Sequence, residues 1–507
     1  MNIKTVTSVV VPLKSKFRLF SIICILLTAP CMAVEFDIVI ANGRVIDPET
    51  GLDAIRHVGI LESRIAEVST KPLEGNRTID ATGLVVAPGF IDLHVHGQSE
   101  ESGEYKAHDG VTTALDLESG RQDLRTWLAS KEGKSLINYG ASVSHRTART
   151  AAMVKFASKL ARLDELTEEH GTDHPDVRNY RMEEIDSANY DTLTLNEIQK
   201  MNRLVEEELY AGGIGIGLLL GYLPGASHEE IFRLFENAAG FSAPVFVHVR
   251  SPGIVGIQEV MTDAISWNTP LHIVHINSAS LGKIDFAIDL VEAAQDRGFD
   301  VTTEMYPYTA GSTGLQSSIF DEGWQESRNI SYGDLQWVKT GERLNRETFE
   351  KYRAEGGTVI IHMMKEPWIQ NGLRRKSTMI ASDSMPYAPG AHPRSAGAYA
   401  RVLGKYVREE KVLSLPQAIR KMTLMPAQRL ETFVPAAARK GRIQVGADAD
   451  ITIFDPEIVI DKATFEGGLK FSEGIPYVLI NGTLVVDGSK TVEGVAPGEA
   501  LMGKYRR

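Results

Sequence analysis

The order of apolar and polar positions divides the chain into a long central region and two shorter end regions. From residue 87 to residue 436, short apolar runs alternate with stretches in which apolar positions recur every three or four residues. This alternation predicts strands followed by helices, for example helices at 196–210 and 229–239. Eight apolar runs are predicted to be strands, and they cover residues 89–96, 112–118, 139–145, 213–222, 244–250, 271–277, 301–308 and 378–383.

Most of these runs are apolar at consecutive positions, which is typical of strands buried on both faces of a parallel sheet. Eight strand–helix units predict an α/β fold, a (β/α)₈ TIM-like barrel, whose chemistry lies at the C-terminal ends of its strands. Residues 321–376 are too many for a simple connection. We therefore expect them to form a lid or an insertion over the site.

The end regions, residues 34–86 and 437–507, have a different pattern of short alternating strands and tight turns. Asn42-Gly43 and Asn481-Gly482 are dipeptides that favour two-residue hairpin turns. Because neither end is long enough for a comfortable sheet of its own, we predict one small β-sandwich built from both chain ends.

Residues 1–33 have the pattern of a secretory signal. A basic segment precedes an apolar run at 19–29, and small residues at 31–33 predict cleavage after Ala33. The run is shorter than the roughly 20 residues that span a bilayer, so we expect no stable membrane insertion after cleavage. The protein is therefore predicted to be exported, either to the periplasm or to the medium.

The composition excludes several classes of binding partner and catalytic site. The chain has 507 residues and a formal net charge of -12, which argues against nucleic acid as a partner. Its two cysteines, Cys24 and Cys31, both lie in the predicted signal. The mature chain would then have no disulfide, no cysteine metal ligand and no thiol nucleophile.

The first predicted strand, in Pro88-Gly-Phe-Ile-Asp-Leu-His-Val-His-Gly, carries a candidate metal site. His94 and His96 are two apart, so their side chains share one face of the strand. Further ligand-type residues end other strands, and a polar residue in such an apolar run costs free energy unless it is paired or ligated. Imidazoles and carboxylates suit Zn²⁺ or a similar ion. The candidate ligands are His94, His96, Glu118, His248, His275 and Asp383.

Several longer motifs carry a resemblance to a known family. They are the His94 motif above, Asp109-Gly-Val-Thr-Thr, Val247-His-Val-Arg, Tyr306-Pro-Tyr-Thr-Ala-Gly-Ser-Thr, Ser382-Asp-Ser-Met-Pro-Tyr, His392-Pro-Arg and Lys440-Gly-Arg-Ile-Gln-Val-Gly-Ala-Asp-Ala-Asp-Ile. With these motifs the sequence resembles the amidohydrolase superfamily and, more closely, the N-acyl-D-amino-acid deacylases, or D-aminoacylases. The resemblance implies a hydrolase that uses one or two divalent ions, zinc above all, to cleave a linear amide bond.

The resemblance also implies roles for the candidate ligands. His94, His96 and Asp383 would form one metal position, and His248 and His275 the other. Relatives join the two positions through a cysteine on the second strand. Glu118 falls where that cysteine would be, so we expect its carboxylate to bridge the positions; a salt-bridged barrel carboxylate is the alternative. Asp383 would act as the general base and pass a proton to the leaving amine.

Substrate-binding roles follow from the same resemblance. Arg394, Tyr306 and Ser312 match residues that hold the substrate carboxylate in relatives, and a guanidinium suits that task. Asn277 stands where relatives carry a lysine, which puts the affinity for an α-carboxylate in question. Arg250 and His145 also end strands, where they would either contact the substrate or support neighbouring side chains.

Two other functions remain open from the sequence. One is a cyclic-amide hydrolase, of the dihydroorotase or hydantoinase type, or a dipeptidase of the same superfamily, which Asn277 favours and Arg394 disfavours. The other is a non-catalytic exported binding protein, which would be expected to lack the base or some ligands.

Overall fold

The computed structural model describes residues 7, 8, 10, 35–171 and 174–507. Apart from residues 7, 8 and 10, the predicted signal at 1–33 lies outside the described residues. The chain divides into two units, Met1–Glu35 and Phe36–Arg507, and the second contains every helix and strand reported below. Within the described part of the chain, no helix combines the length and the apolar character that crossing a bilayer requires.

The central region forms the predicted barrel. Its eight strands are β6 (Phe90–Asp92), β7 (Val111–Arg121), β8 (Asn138–Ser144), β9 (Ile216–Leu219), β10 (Val245–His248), β11 (Leu271–Ile273), β12 (Val301–Met305) and β16 (Thr378–Ile380). They pair in parallel in that spatial order. A parallel bridge between Val95 and Ser384 joins the first strand to the last, so the sheet is nearly closed. All eight predicted strands are confirmed, although several are shorter than expected.

Helices follow the strands, and most of them cover the barrel. The α-helices are α1 (Glu100–His108), α2 (Leu124–Lys131), α3 (His145–Ala152), α4 (Ala157–His170), α5 (Pro175–Tyr180), α6 (Leu195–Tyr210), α7 (His228–Phe241), α8 (Ile254–Trp267), α9 (Ile276–Ser280), α10 (Ile284–Gln295), α11 (Trp324–Arg328), α12 (Arg346–Glu355), α13 (Glu366–Arg374), α14 (Arg394–Arg401), α15 (Leu415–Met422) and α16 (Leu424–Glu431).

Helix α6 shows how the sequence dictates these elements. Thr194 caps its first turn, and Glu197 completes a reciprocal capping pair. Ile198, Met201, Val205 and Leu209 recur every three or four residues and are all buried. That stripe packs against the barrel, as an amphipathic surface helix requires.

Both chain ends contribute to a second, separate sheet. Its strands are β1 (Phe36–Asp47), β2 (Leu52–Leu61), β3 (Arg64–Ser69), β4 (Gly75–Asp80), β5 (Val85–Pro88), β17 (Ile451–Phe454), β18 (Tyr477–Ile480), β19 (Thr483–Asp487) and β20 (Lys490–Thr491). The N-terminal and C-terminal strands meet where β5 pairs with β17. A buried core of residues from both ends fills this domain. The prediction that strands from both chain ends form one separate β-structure is confirmed.

The two Asn-Gly dipeptides behave differently. Asn481-Gly482 forms the expected hairpin between β18 and β19. The prediction of a hairpin at Asn42-Gly43 is wrong, because β1 runs through it as one strand with a bulge. Asn42 has a positive φ of 60°, so the dipeptide serves the bulge instead of a turn. Before the bulge β1 pairs with β4, and after it with β5.

The chain between β12 and β16 contains a small sheet of its own. Strands β13 (Ala310–Gly314), β14 (Leu335–Trp337) and β15 (Thr358–His362) pair antiparallel, with β15 in the centre. A separate aromatic-rich core, which includes Phe320 and Trp337, lies beneath them. This segment reaches the mouth of the barrel, where Ser312 and Arg328 line a cavity.

Candidate active site

The six predicted ligands converge at the C-terminal ends of the barrel strands. The carboxylate of Glu118 lies in the middle of the group. Its Oε1 is 2.9 Å from His248 Nδ1 and 2.9 Å from His275 Nε2. Its Oε2 is 3.3 Å from Nε2 of both His94 and His96. One carboxylate therefore faces two pairs of histidines, one pair on each oxygen.

Asp383 lies beside the histidine pair formed by His94 and His96. Its Oδ1 lies 3.3 Å from His94 Nε2 and 3.2 Å from His96 Nε2. Its Oδ2 is 2.9 Å from Arg394 Nη1. Burial raises the pKa of Asp383, but Arg394 and the two imidazoles outweigh that effect and hold the pKa below its usual range. The carboxylate is therefore ionised at neutral pH.

Burial likewise raises the pKa of Glu118, while His94, His248 and His275 together hold it well below its usual range. For the buried His94, burial lowers the imidazole pKa, but Asp383, Glu118 and Glu304 raise it well above the ordinary value. Positive charge is thus strongly favoured at the His94 ring, and the same negative potential favours a bound cation.

The donor set fits a divalent metal. His94, Glu118 and His275 form one group whose donor atoms lie within 4.8 Å of one another, and His94, His96 and Asp383 form another. Among the described residues, buried His94 Nε2 has no hydrogen-bond partner although it faces two carboxylates. His275 Nε2 and His248 Nδ1 are only 2.9 Å apart, so they either share a proton or coordinate one cation. These nitrogen and oxygen donors are ordinary zinc ligands.

Two of the ligands have backbone conformations that side chains rarely adopt. His275 has φ 33° and Asp383 has φ 53°, both in the left-handed region. Such a conformation costs about 1–2 kcal/mol for a residue other than glycine. Strands β11 and β16 end before these ligands, at Ile273 and Ile380, and are therefore shorter than predicted.

Residues behind the ligands, which the sequence reading missed, hold them in place. Glu304 Oε1 accepts hydrogen bonds from His94 Nδ1, at 3.0 Å, and from the backbone N–H of His275, at 2.6 Å. Such a carboxylate fixes the orientation of a metal-binding imidazole and raises its basicity. The sequence did contain a signal, because Glu304 is the one charged residue of β12 and lies in a strand that is mostly buried.

A second buried network supports Asp383 from its chain neighbour. Ser382 donates from its backbone N–H, at 3.0 Å, and from its hydroxyl to the carboxylate of Asp92. Lys106 Nζ lies 2.9 Å from the same carboxylate. This network ties the end of β16 to β6, the strand that leads to His94.

A cavity of about 680 Å³ opens over the cluster. Ligands and several predicted substrate residues line it: His96, Glu118, His248, Arg250, His275, Tyr306, Ser312 and Asp383. Arg394 lies just behind this wall, with its guanidinium 4.5 Å from the Tyr306 ring centre and Nη2 3.5 Å from the Ser312 carbonyl oxygen. The contact of its Nη1 with Asp383 is close but lacks hydrogen-bond geometry, and within the described part of the chain Nη1 and Nε have no hydrogen-bond partner.

The remaining predicted substrate residues have other partners. Arg250 is on the cavity wall but forms a bidentate ion pair with Glu259. Asn277 is fully buried and donates to the Tyr306 carbonyl oxygen, outside the cavity lining. The structure does not bring His145 to the cavity, because this residue begins α3 and its ring is buried 3.0 Å from Glu230.

Comparison with known proteins agrees with this geometry. The sequence profile of the Amidohydrolase family matches residues 77–257 and 280–486. The chain is 30% identical over 502 residues to a D-aminoacylase of Alcaligenes xylosoxydans xylosoxydans, covering 89% of this chain and 94% of that protein. It is 29% identical over 507 residues to an N-acyl-D-glutamate deacylase of the same organism, covering 90% and 94%.

A solved structure from work on the binuclear metal centre of D-aminoacylase has the same fold. The match has a TM-score of 0.75 at 26% identity and covers 92% of this chain and 100% of that chain.

Proposed function

Because this chain belongs to the amidohydrolase family, we propose that it is a zinc-dependent deacylase that cleaves N-acyl-D-amino acids into a carboxylate and a free amino acid. One observation carries the proposal above all others. Four histidines and the carboxylates of Glu118 and Asp383 meet at the floor of a cavity that Tyr306 and Ser312 line. They come from five strand ends, and Glu118 lies in the middle of the group. The deacylase relatives support the reaction and the substrate class.

Zinc would be held by His94, His96 and Asp383 on one side and by His248 and His275 on the other, with Glu118 between them. When bound there, zinc supplies a Lewis acid that activates water and polarises the scissile carbonyl. The negative potential of the two carboxylates, described above, supports a divalent cation at this place.

Asp383 performs the proton transfers in this proposal. It is ionised and lines the cavity, so a carboxylate oxygen can accept a proton from the attacking water and return it to the leaving nitrogen. Arg394 keeps Asp383 oriented through the contact at Oδ2. Arg394 Nε, which has no hydrogen-bond partner among the described residues, would hold the substrate α-carboxylate together with Tyr306 and Ser312.

The experiment that tests this function is a hydrolysis panel with the zinc-loaded protein. N-acetyl-D-amino acids should release the free amino acid, and their L-enantiomers serve as matched controls that should react much more slowly. Dihydroorotate and hydantoins test the cyclic-amide alternative. Hydrolysis of cyclic amides alone, with no linear substrate cleaved, would reject the deacylase assignment.

We also propose that the protein is exported, since residues 1–33 have the basic, apolar and small-residue segments of a secretory signal. N-terminal sequencing of the protein purified from periplasm or medium should begin at Val34. An N-terminus at Met1 in protein that stays inside the cell would contradict export.

A further inference from the structure

Among the described residues, three arginines line the cavity, and they differ in the groups that they contact. Arg146 Nη2 lies 2.8 Å from Asp186, and Arg250 forms a bidentate pair with Glu259. Arg328, at the end of α11 in the segment between β12 and β16, forms no ion pair with a carboxylate of the described residues. The first two charges are therefore neutralised within the protein, whereas the third is available to a ligand.

The guanidinium of Arg328 uses few of its donors. Nη1 donates to the Ser327 hydroxyl at 3.1 Å and, weakly, to the Ile319 carbonyl oxygen at 3.4 Å. Among the described residues, Nε and Nη2 have no hydrogen-bond partner, although a guanidinium offers five N–H groups. Burial lowers the pKa of Arg328, which reflects the cost of removing its charge from water. An anion in the cavity would offset that cost.

The position of Arg328 relative to the metal ligands suits a substrate that spans both. Tyr222 lies next to the second histidine pair, with its ring centre 4.9 Å from that of His248. Its hydroxyl bonds Thr313 at 2.8 Å, on the segment that carries Arg328. Burial and the carboxylates raise the pKa of Tyr222, and the nearby charge of Arg328 opposes that rise. Arg328 is thus near enough to Tyr222 to influence its charge, and it lines the same cavity as the ligands.

We propose that Arg328 binds a second carboxylate of the substrate, so that the preferred substrates are dianionic N-acyl-D-amino acids. The inference rests on the proposed function and deepens it. The carboxylate belongs either to an acidic amino-acid side chain or to a dicarboxylic acyl group, and both offer the same partner to a guanidinium. A local cation is needed for such a substrate, because the chain as a whole carries a net charge of -12.

The test compares kcat/KM for matched pairs of substrates on the zinc-loaded protein. N-acetyl-D-glutamate against N-acetyl-D-glutamine tests the side-chain source, and N-succinyl-D-leucine against N-pentanoyl-D-leucine tests the acyl source. The diacid should be preferred in one pair by about 10- to 100-fold, as expected for a hydrogen-bonded ion pair. In Arg328→Gln that ratio should fall to near one.

Arg343→Gln is the matched control. Arg343 lies in the same segment and is exposed; within the described part of the chain it donates only to a backbone oxygen and does not line the cavity. The ratio should survive in this variant. Ratios near one for both pairs in the unmodified protein overturn the inference but leave the deacylase function standing if N-acetyl-D-leucine is cleaved. Failure to cleave any of the linear substrates overturns both, and this comparison does not depend on the folding of a variant.

Discussion

His94 and His145 have much in common, yet only one of them belongs to the ligand cluster. Both rings are buried, and each has a nitrogen 3.0 Å from a buried glutamate, Glu304 for His94 and Glu230 for His145. The difference lies on the other side of each ring. His94 Nε2 faces the carboxylates of Glu118 and Asp383, whereas His145 Nδ1 has no hydrogen-bond partner among the described residues.

The second partner of each glutamate completes the contrast. Glu230 also binds Arg149, whose Nε lies 2.9 Å away, so its charge is balanced inside the protein. Glu304 instead accepts the backbone N–H of His275, another predicted ligand. A buried histidine–carboxylate pair is therefore evidence for a metal ligand only when the second ring nitrogen meets further donors.

The largest effect on catalysis should come from substitution of Asp383, whose carboxylate faces His94 Nε2. Asp383→Asn should lower kcat by about a thousandfold, because general-base catalysis contributes on that order. The four histidines and Glu118 remain, so the metal content should not fall. Steady-state kinetics and elemental analysis of the same preparation measure both, and full activity would remove Asp383 from the mechanism.

The two glutamates provide a direct test of the contrast. Glu304→Gln should weaken zinc affinity by about 10- to 100-fold, since it removes the charge that supports His94. The matched variant Glu230→Gln should leave zinc affinity unchanged and instead destabilise the fold by about 3 kcal/mol, because it leaves buried Arg149 without its counterion.

Zinc titration and chemical denaturation distinguish these outcomes. Equal losses of zinc affinity in both variants would mean that Glu304 supports the fold rather than the metal ligands. Loss of stability alone in Glu304→Gln would lead to the same conclusion.

Substitution of Arg394, which contacts Asp383, should have a smaller effect on the kinetics. Arg394→Met should raise KM for an N-acetyl-D-amino acid by about tenfold, the contribution of one charge-assisted hydrogen bond, with a lesser change in kcat. Saturation kinetics measure the two constants separately. An unchanged KM would show that the α-carboxylate is held by other groups.

Much of the fold could be predicted because burial leaves a periodic trace in the sequence. Eight apolar runs gave eight barrel strands, and the polar residues that interrupt them marked the cluster. Strand ends could not be read so well. They depend on local backbone conformation, such as the positive φ of His275, which the residue type does not reveal.

The direction in which side chains point was also difficult to predict from the sequence. His145 is one position beyond β8, and that single step places it in a helix with its ring away from the cavity. Glu304 was overlooked although a glutamate in a buried strand requires a partner. The partner of Arg250 also depends on tertiary packing, because Glu259 reaches it from the next helix.

The sheet shared by the two chain ends has a consequence for how the molecule is made. Pro88 pairs with Ile451, and the N–H of Gly89 donates to the Asp450 carbonyl oxygen, so the entry into the barrel is completed by residues synthesised late. While the ribosome is still translating, the early strands have no partner for that edge. The pairing of β5 with β17 can therefore form only after residues 450–454 have been synthesised.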